Sequence, residues 1–400
     1  MYILICRIYQ LLTRALSALM PWREPLLLQG EHSVLQLPEM LKQDGVVRPL
    51  FITGPTVSRL GLAQPLLAAL QGAGIQAPVF DRTQNDPTVA NVEEAVACYL
   101  ENRCDGIIAF GGGSPMDCAK LCGARVARPD RTVAQLRGML RVRKPIPPLY
   151  AVPTTAGTGS EVTLAAVVTG EGDRKYAVGD FALIPRAAVL DATLTLGLPG
   201  GVTAASGMDA LCHAVEAYIG HSNTPATRQN AKEAVRLVFT ELPTACADGG
   251  NLAARSGMQL AAYRAGLAFT RANVGYAHAV AHAVGGRYHL AHGLCCAIAL
   301  PAVLRAYGQP AHRALAELAQ AVGAGVAGQS EAAQAEAFIA AISGLSASVG
   351  LPSRYLPMVA EDIPMLARQA ADEGNLFYPA PKVLTQPMLR DVLLALAPIE

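Results

Sequence analysis

The chain has 400 residues and carries 32 Lys+Arg against 31 Asp+Glu, a net charge of +1. That balance excludes a general nucleic-acid binder, which concentrates a basic excess on one face. Apolar residues are 52% and charged ones 16%, so a large core is available, intrinsic disorder is excluded, and the length suggests two or three domains.

Residues 3–20 are apolar except at Arg7, Gln10, Thr13, Arg14 and Ser17. Those five recur every three or four positions, which makes one polar stripe on a helix. The arginines come too early for a membrane span of about 20 apolar residues. A signal peptide would carry its charges before the apolar run. Residues 1–27 therefore read as an amphipathic helical extension. It packs on its own chain or a partner subunit, or makes a weak membrane contact through residues 3–20.

Residues 49–54 form a short apolar run ending in a turn residue, which predicts a buried strand. Helical spacing follows over 60–74, a second strand over 77–81 and an amphipathic helix over 89–102. A third strand over 104–110 runs into Gly111-Gly112-Gly113-Ser114, then a helix covers 116–127 and a fourth strand 149–153. This alternation predicts a parallel sheet with helices on both faces, an α/β domain over 28–199. From about Thr203, beyond Pro199-Gly200-Gly201, Ala-rich helical stretches predict an all-α domain over 200–400. The nine cysteines show no C-x-x-C and no disulfide-framework spacing, which fits a reduced, cytoplasmic setting.

Three constellations carry chemistry. In the first, Gly111-Gly112-Gly113-Ser114-Pro115-Met116-Asp117 joins a strand to a helix. A glycine run there lets backbone N–H groups approach a phosphate, and the helix N-terminus adds a favourable dipole. The run is not G-x-G-x-x-G, and an ordinary tight turn would look the same. In the second, Pro153-Thr154-Thr155-Ala156-Gly157-Thr158-Gly159-Ser160-Glu161 offers hydroxyl donors with little bulk. Such a loop suits a diphosphate or ribose, although a Ser/Thr turn can also satisfy its own backbone. Two such loops at successive strand ends favour a ligand, because α/β sheets bind at their carboxyl edge.

In the third, Asp209 and His213 stand four apart, on one face of a helix. His278 and His282 repeat that spacing; Gly285-Gly286 is then expected to break the helix before His289 and His292. Five of the eight histidines fall in these two segments. Imidazoles in apolar helices need partners. One carboxylate with several imidazoles is a plausible ligand set for Fe²⁺, Zn²⁺ or another divalent metal.

At these residues the sequence resembles the iron-containing (group III) alcohol dehydrogenase family. The match comprises the glycine run, the threonine loop, Gly207-Met208-Asp209-Ala210-Leu211 and the stretch from His278 to Gly293, in one order from about Pro21 to about Arg305. The resemblance implies a Rossmann-like dinucleotide-binding domain followed by a helical metal and catalytic domain. It implies that Asp209, His213, His278 and His292 bind the metal, and that His282 lies beside them near nicotinamide and substrate, where it could relay a proton. It also implies that Gly111, Gly112, Gly113, Ser114 and Asp117 form the diphosphate loop, that Thr154, Thr155 and Thr158 line the cofactor, and that Lys175 contacts it. The reaction is then reversible hydride transfer between a small alcohol or aldehyde and NAD or NADP. Fe²⁺, with Zn²⁺ possible after purification, would lower the alcohol's pKa. A homodimer is expected.

Two departures bear on the cofactor. NAD-using relatives often carry an Asp after the first strand, bonded to the adenosine ribose; here Gly54 occupies that place. Its absence removes repulsion against a 2′-phosphate and favours NADP or dual use. Asp86, in Asp86-Pro87-Thr88, argues the other way. Two rival readings are a sugar-phosphate cyclising lyase of related architecture and a membrane- or assembly-associated subunit. The lyase needs basic residues, and the ligand-bearing segments offer only Arg271 and Arg287. An intact ligand set argues against the non-catalytic subunit.

Overall fold

The computed structural model describes residues 2–173 and 175–398. It contains two compact units: Pro21–Gly197, and Met1–Met20 together with Leu198–Glu400. The extension expected over 1–27 is helical only over Tyr2–Ala18 (α1). Leu26–Gln29 is instead a strand (β1) of the α/β unit.

The rest of that unit runs α2 (Leu37–Gln43), β2 (Pro49–Ile52), α3 (Pro55–Arg59), α4 (Gln64–Gly72), β3 (Val79–Phe80), α5 (Val89–Glu101) and β4 (Gly106–Gly111). It continues through α6 (Gly113–Ala127), β5 (Gly138–Met139), β6 (Leu149–Pro153), β7 (Ala165–Thr169), β8 (Lys175–Gly179) and β9 (Ala187–Leu190). Six strands pair in the order β1-β9-β6-β4-β2-β3, and every pairing is parallel. A small second sheet holds β5, β8 and β7.

Leu50, Ile52, Ile107, Ala109, Leu149 and Ala151 face one way, into a core with α5 and α6. Phe51, Ile108, Phe110, Tyr150 and Val152 face the other, towards α2 and α4. Burial on both faces is why β2, β4 and β6 read as unbroken apolar runs rather than alternating ones. The helix expected over 60–74 forms only as α4, over Gln64–Gly72, and a separate short helix, α3, precedes it. Gly61 at φ 67° ends α3, and each helix starts afresh with a proline in its first turn.

From β2 the chain moves outward to β3, then returns to β4 and continues through β6 to β9. The direction reverses between β2 and β4, and ligands of such sheets bind beyond the carboxyl ends at that reversal. Gly54 follows β2, and the glycine run follows β4.

The helical unit adds α7 (Gly200–Ile219), α8 (Pro225–Ala247), α9 (Leu252–Ala272), α10 (Tyr276–Tyr288) and α11 (His292–Tyr307). It ends with α12 (Gln309–Ala321), α13 (Glu331–Ser348), α14 (Ile363–Phe377) and α15 (Gln386–Leu396). Among the described residues no helix is long and apolar enough to cross a membrane. The helix break expected at Gly285-Gly286 does not occur, because α10 continues to Tyr288. A Cβ on Gly285 would come 3.4 Å from Cys295 Sγ, so the missing side chain serves close packing against α11.

Lys120, on α6, is buried beneath the two loops. Its Nζ donates to Ser160 Oγ, Thr163 Oγ1 and the carbonyls of Thr163 and Ala165, all at 2.9–3.0 Å. Burial pushes the ammonium down from 10.5 to about 8, against the pull of Asp117 and Glu161. Between those two values the unfolded chain binds more protons than the folded one, so this group's contribution to stability rises with pH across that window. Melting temperatures of the wild type and Lys120→Met, measured from pH 8 to 10, should show the wild type gaining on the variant. Parallel curves would refute the assignment.

Candidate metal centre and dinucleotide loops

Residues four apart on a helix share a face, so α7 presents Asp209 and His213 together, and α10 presents His278 and His282 together. His292 opens α11. The structure groups three of the four expected ligands, Asp209, His278 and His292, with Cys296, and leaves His213 outside that group but beside Asp209. Asp209 Oδ1 lies 3.3 Å from His292 Nε2, 3.8 Å from His278 Nε2 and 3.8 Å from His213 Nδ1. A tetrahedral ion with bonds of about 2.1 Å sets its ligand atoms about 3.4 Å apart. Asp209 Oδ1, His213 Nδ1 and His278 Nε2 are buried and meet no hydrogen-bond partner in the protein. Each such atom costs roughly 1–3 kcal/mol if left unsatisfied. A divalent cation between Asp209, His278 and His292 would satisfy Asp209 Oδ1 and His278 Nε2, and the N/O donor set suits iron or zinc.

The protonation states fit the same reading. Burial pushes His213 down to about 3, so its ring is neutral with a lone pair free. Burial also disfavours charge on His278 and His292, but Cys296 and Asp209 outweigh it, taking His292 up to about 9 and His278 well above its ordinary value. Burial acts to raise Asp209, yet His213 and His292 hold it well below the usual carboxylate range. A cation entering this cluster therefore displaces protons. Cys296 Sγ lies 3.6 Å from His292 Nε2. Burial holds this thiol well above its ordinary pKa, so it packs beside the ligands protonated.

Two carboxylates that the sequence reading left without a role orient the imidazoles. Glu216 Oε2 lies 2.6 Å from His278 Nδ1. The same carboxylate accepts from Gly275 N and Ala277 N, both at 2.7 Å. With Nδ1 committed to Glu216, His278 turns Nε2 towards Asp209, the arrangement a metal-binding histidine needs. Glu216 follows His213 by three residues, so helical spacing held a signal for it. Glu373, on α14, lies 2.7 Å from His282 Nδ1 and also accepts from Tyr378 Oη. It is too distant in sequence for spacing to reveal. His282 stacks on His292 at 5.1 Å between ring centroids, beside the cluster. His289 stands apart, an exposed left-handed residue (φ 54°) closing α10.

Gly293 sets the distance between α7 and α11. A Cβ there would lie 2.2 Å from Ala205 O and 3.2 Å from Asp209 Cβ. The first clash is with backbone, which no rotamer change relieves.

In the α/β unit the two loops leave neighbouring strands and touch. Gly111 pairs with Pro153 in register, and Thr154 N donates to Gly111 O at 3.0 Å. A Cβ on Gly113 would meet Thr158 Cγ2 at 2.9 Å, and one on Gly112 would meet Thr155 Oγ1 at 3.2 Å. No side chain caps the N-terminus of α6, which leaves its first-turn donors to an anion. Asp117 braces the loops, accepting from Ser160 Oγ at 3.1 Å and Val167 N at 3.0 Å. Burial, partly offset by Lys120, raises its carboxyl to about 6. Ser114 Oγ accepts from Asp86 N at 3.3 Å, and Asp86 Oδ1 pairs with Lys175 Nζ at 2.7 Å. Gly54 caps α3, with space for a Cβ only 3.3 Å from Thr83 O.

Glu216→Gln should weaken metal affinity about 10–100-fold, and Gly293→Ala should weaken it and destabilise the fold by more than about 2 kcal/mol. Metal content after dialysis against a graded chelator, with urea unfolding for the second variant, checks both.

Comparisons with known proteins find matches to both parts of the chain. The family described as iron-containing alcohol dehydrogenase matches residues 25–192, and the Fe-containing alcohol dehydrogenase family's C-terminal part matches 203–396. The chain is 36% identical over 347 residues to an NAD-dependent methanol dehydrogenase of Bacillus methanolicus, covering 86% of this chain and 91% of that protein. It is 38% identical over 354 residues to a 1,3-propanediol dehydrogenase of Klebsiella pneumoniae, covering 87% and 91%. A crystal structure of 1,3-propanediol oxidoreductase superposes with a TM-score of 0.91 at 35% identity, covering 94% of this chain and 98% of that one. An alcohol dehydrogenase from Oenococcus oeni gives 0.90 at 34%, covering 93% and 98%. With the ligand cluster, the paired loops and matches along nearly the whole length in agreement, the chain belongs to the iron-containing alcohol dehydrogenase family.

Proposed function

We propose that this alcohol dehydrogenase interconverts small primary alcohols and their aldehydes, with Fe²⁺ held by Asp209, His213, His278 and His292 and with either NAD or NADP as hydride carrier. The observation that carries the reading is the grouping of Asp209, His278 and His292 at metal-sharing distances, with Asp209 Oδ1 and His278 Nε2 buried and without a hydrogen-bond partner. Relatives named for methanol and 1,3-propanediol support the substrate class, and their names disfavour the lyase reading. When bound, the ion supplies Lewis acidity towards a substrate oxygen and the dinucleotide accepts or returns hydride.

The chain's own residues supply position and proton traffic. Three imidazoles and one carboxylate leave room for a substrate group, as a catalytic rather than structural site requires. Glu216 fixes His278 so that its lone pair faces inward. His282 has Nδ1 tied to Glu373, which leaves Nε2 to take up or deliver the alcohol proton. The glycine and threonine loops hold the dinucleotide's diphosphate, with Lys175 at hand once it leaves Asp86.

Gly54 supports dual cofactor use. No carboxylate follows β2, so a ribose 2′-phosphate meets no repulsion there.

Metal-free enzyme reconstituted with Fe²⁺, Zn²⁺ or Mn²⁺ should regain turnover of short primary alcohols, followed as nicotinamide absorbance. His278→Ala should lose bound metal and at least about a thousandfold in kcat/KM; full activity with full metal content would overturn the ligand set. Gly54→Asp should lower kcat/KM for NADP relative to NAD by at least tenfold, about 1.4 kcal/mol. An unchanged ratio would remove that reading of Gly54.

A further inference from the structure

Part of the polar stripe of α1 is turned onto α14 rather than to water. Cys6 and Gln10 are buried in the seat on α14. Gln10 Nε2 donates to Asn375 O at 3.2 Å and Tyr378 O at 2.9 Å, carbonyls at the C-terminal end of α14. Arg7 donates to Ala380 O at 2.7 Å and Pro381 O at 2.8 Å. Helix ends leave carbonyls without intrahelical donors, and α1 answers them with side chains.

The apolar side of the helix points the other way. Leu4, Ile8, Leu11, Leu12, Leu16 and Leu19 are between 51% and 87% exposed. Side chains of that size and exposure leave on the order of 600 Å² of apolar surface, at the upper end for a monomer's largest patch. At about 100° per residue, the arc from Ala18 round to Tyr9 holds no polar residue other than the tyrosine at its edge and covers about half the circumference. A packing helix buries its apolar face, whereas α1 buries only Cys6 and Gln10 and leaves its apolar arc exposed.

We propose that the outward face of α1 rests on a lipid bilayer bearing anionic headgroups, with the helix lying in the plane of the surface. Three features select that occupant. A seam against one partner helix needs an apolar stripe of about 100° or less, whereas a bilayer covers the wider arc seen here. Tyr2 and Tyr9 line one margin of the arc and the exposed Arg14 stands at the other, matching the interfacial preference of tyrosine and the reach of arginine towards headgroups. The helix carries no acidic residue, and its exposed charge is Arg14, which complements a negative surface.

The test is co-sedimentation of the full-length enzyme with vesicles of phosphatidylcholine alone and of phosphatidylcholine mixed with phosphatidylglycerol. The enzyme should pellet with the mixed vesicles and less with the neutral ones. An Ile8→Asn, Leu12→Asn double variant should lose at least tenfold in bound fraction while keeping its melting temperature and its dehydrogenase rate. Failure to pellet with either vesicle, equal pelleting of the variant, or equal binding to both compositions would overturn the proposal. So would lipid-free light scattering in which the wild type forms an oligomer that the double variant splits, since that assigns the face to a second copy.

Discussion

A buried polar atom must find a partner, and that requirement organises the helical unit. Asp209, His213 and His278 lie in helices that are otherwise apolar and closely packed. The protein meets some of their needs, most directly through Glu216 on His278 Nδ1. It leaves the inward atoms unmet. Hydrophobic replacements would pack more cheaply at these positions, so the polar set is a cost borne for ligand binding rather than for stability.

The same economy of position runs through the α/β unit. Two loops with unrelated sequences become one surface because β4 and β6 are neighbours in register. The glycines of one are demanded by the threonines of the other, where a single methyl group would already collide. Lys120 and Asp117 then tie the helix beneath to the loop and to β7.

Much of this was legible in the sequence. Runs such as Leu50 to Ile52 and Ile107 to Phe110 announce buried strands because both sheet faces are covered. Helical spacing and the scarcity of histidine elsewhere marked the two ligand-bearing segments, and the family resemblance chose the four proposed ligands among them. Where reading failed, the causes are physical. Leu26–Gln29 is a four-residue strand that acquires its identity only by pairing with β9. Gly285-Gly286 resembles a helix terminator, yet tertiary packing against Cys295 overrides the propensity. Glu373 reaches His282 across 91 residues of chain, a relation no local pattern encodes. The amphipathicity of residues 3–20 was visible, but which side would turn inward depends on the carbonyls waiting at the end of α14.

Every ligand of the proposed metal centre, and both carboxylates that orient them, come from residues beyond 197, whereas the loops proposed for the dinucleotide come from residues before it. The two capacities are therefore written in separate stretches of one chain. A lineage could retune one proposed capacity without disturbing the residues of the other.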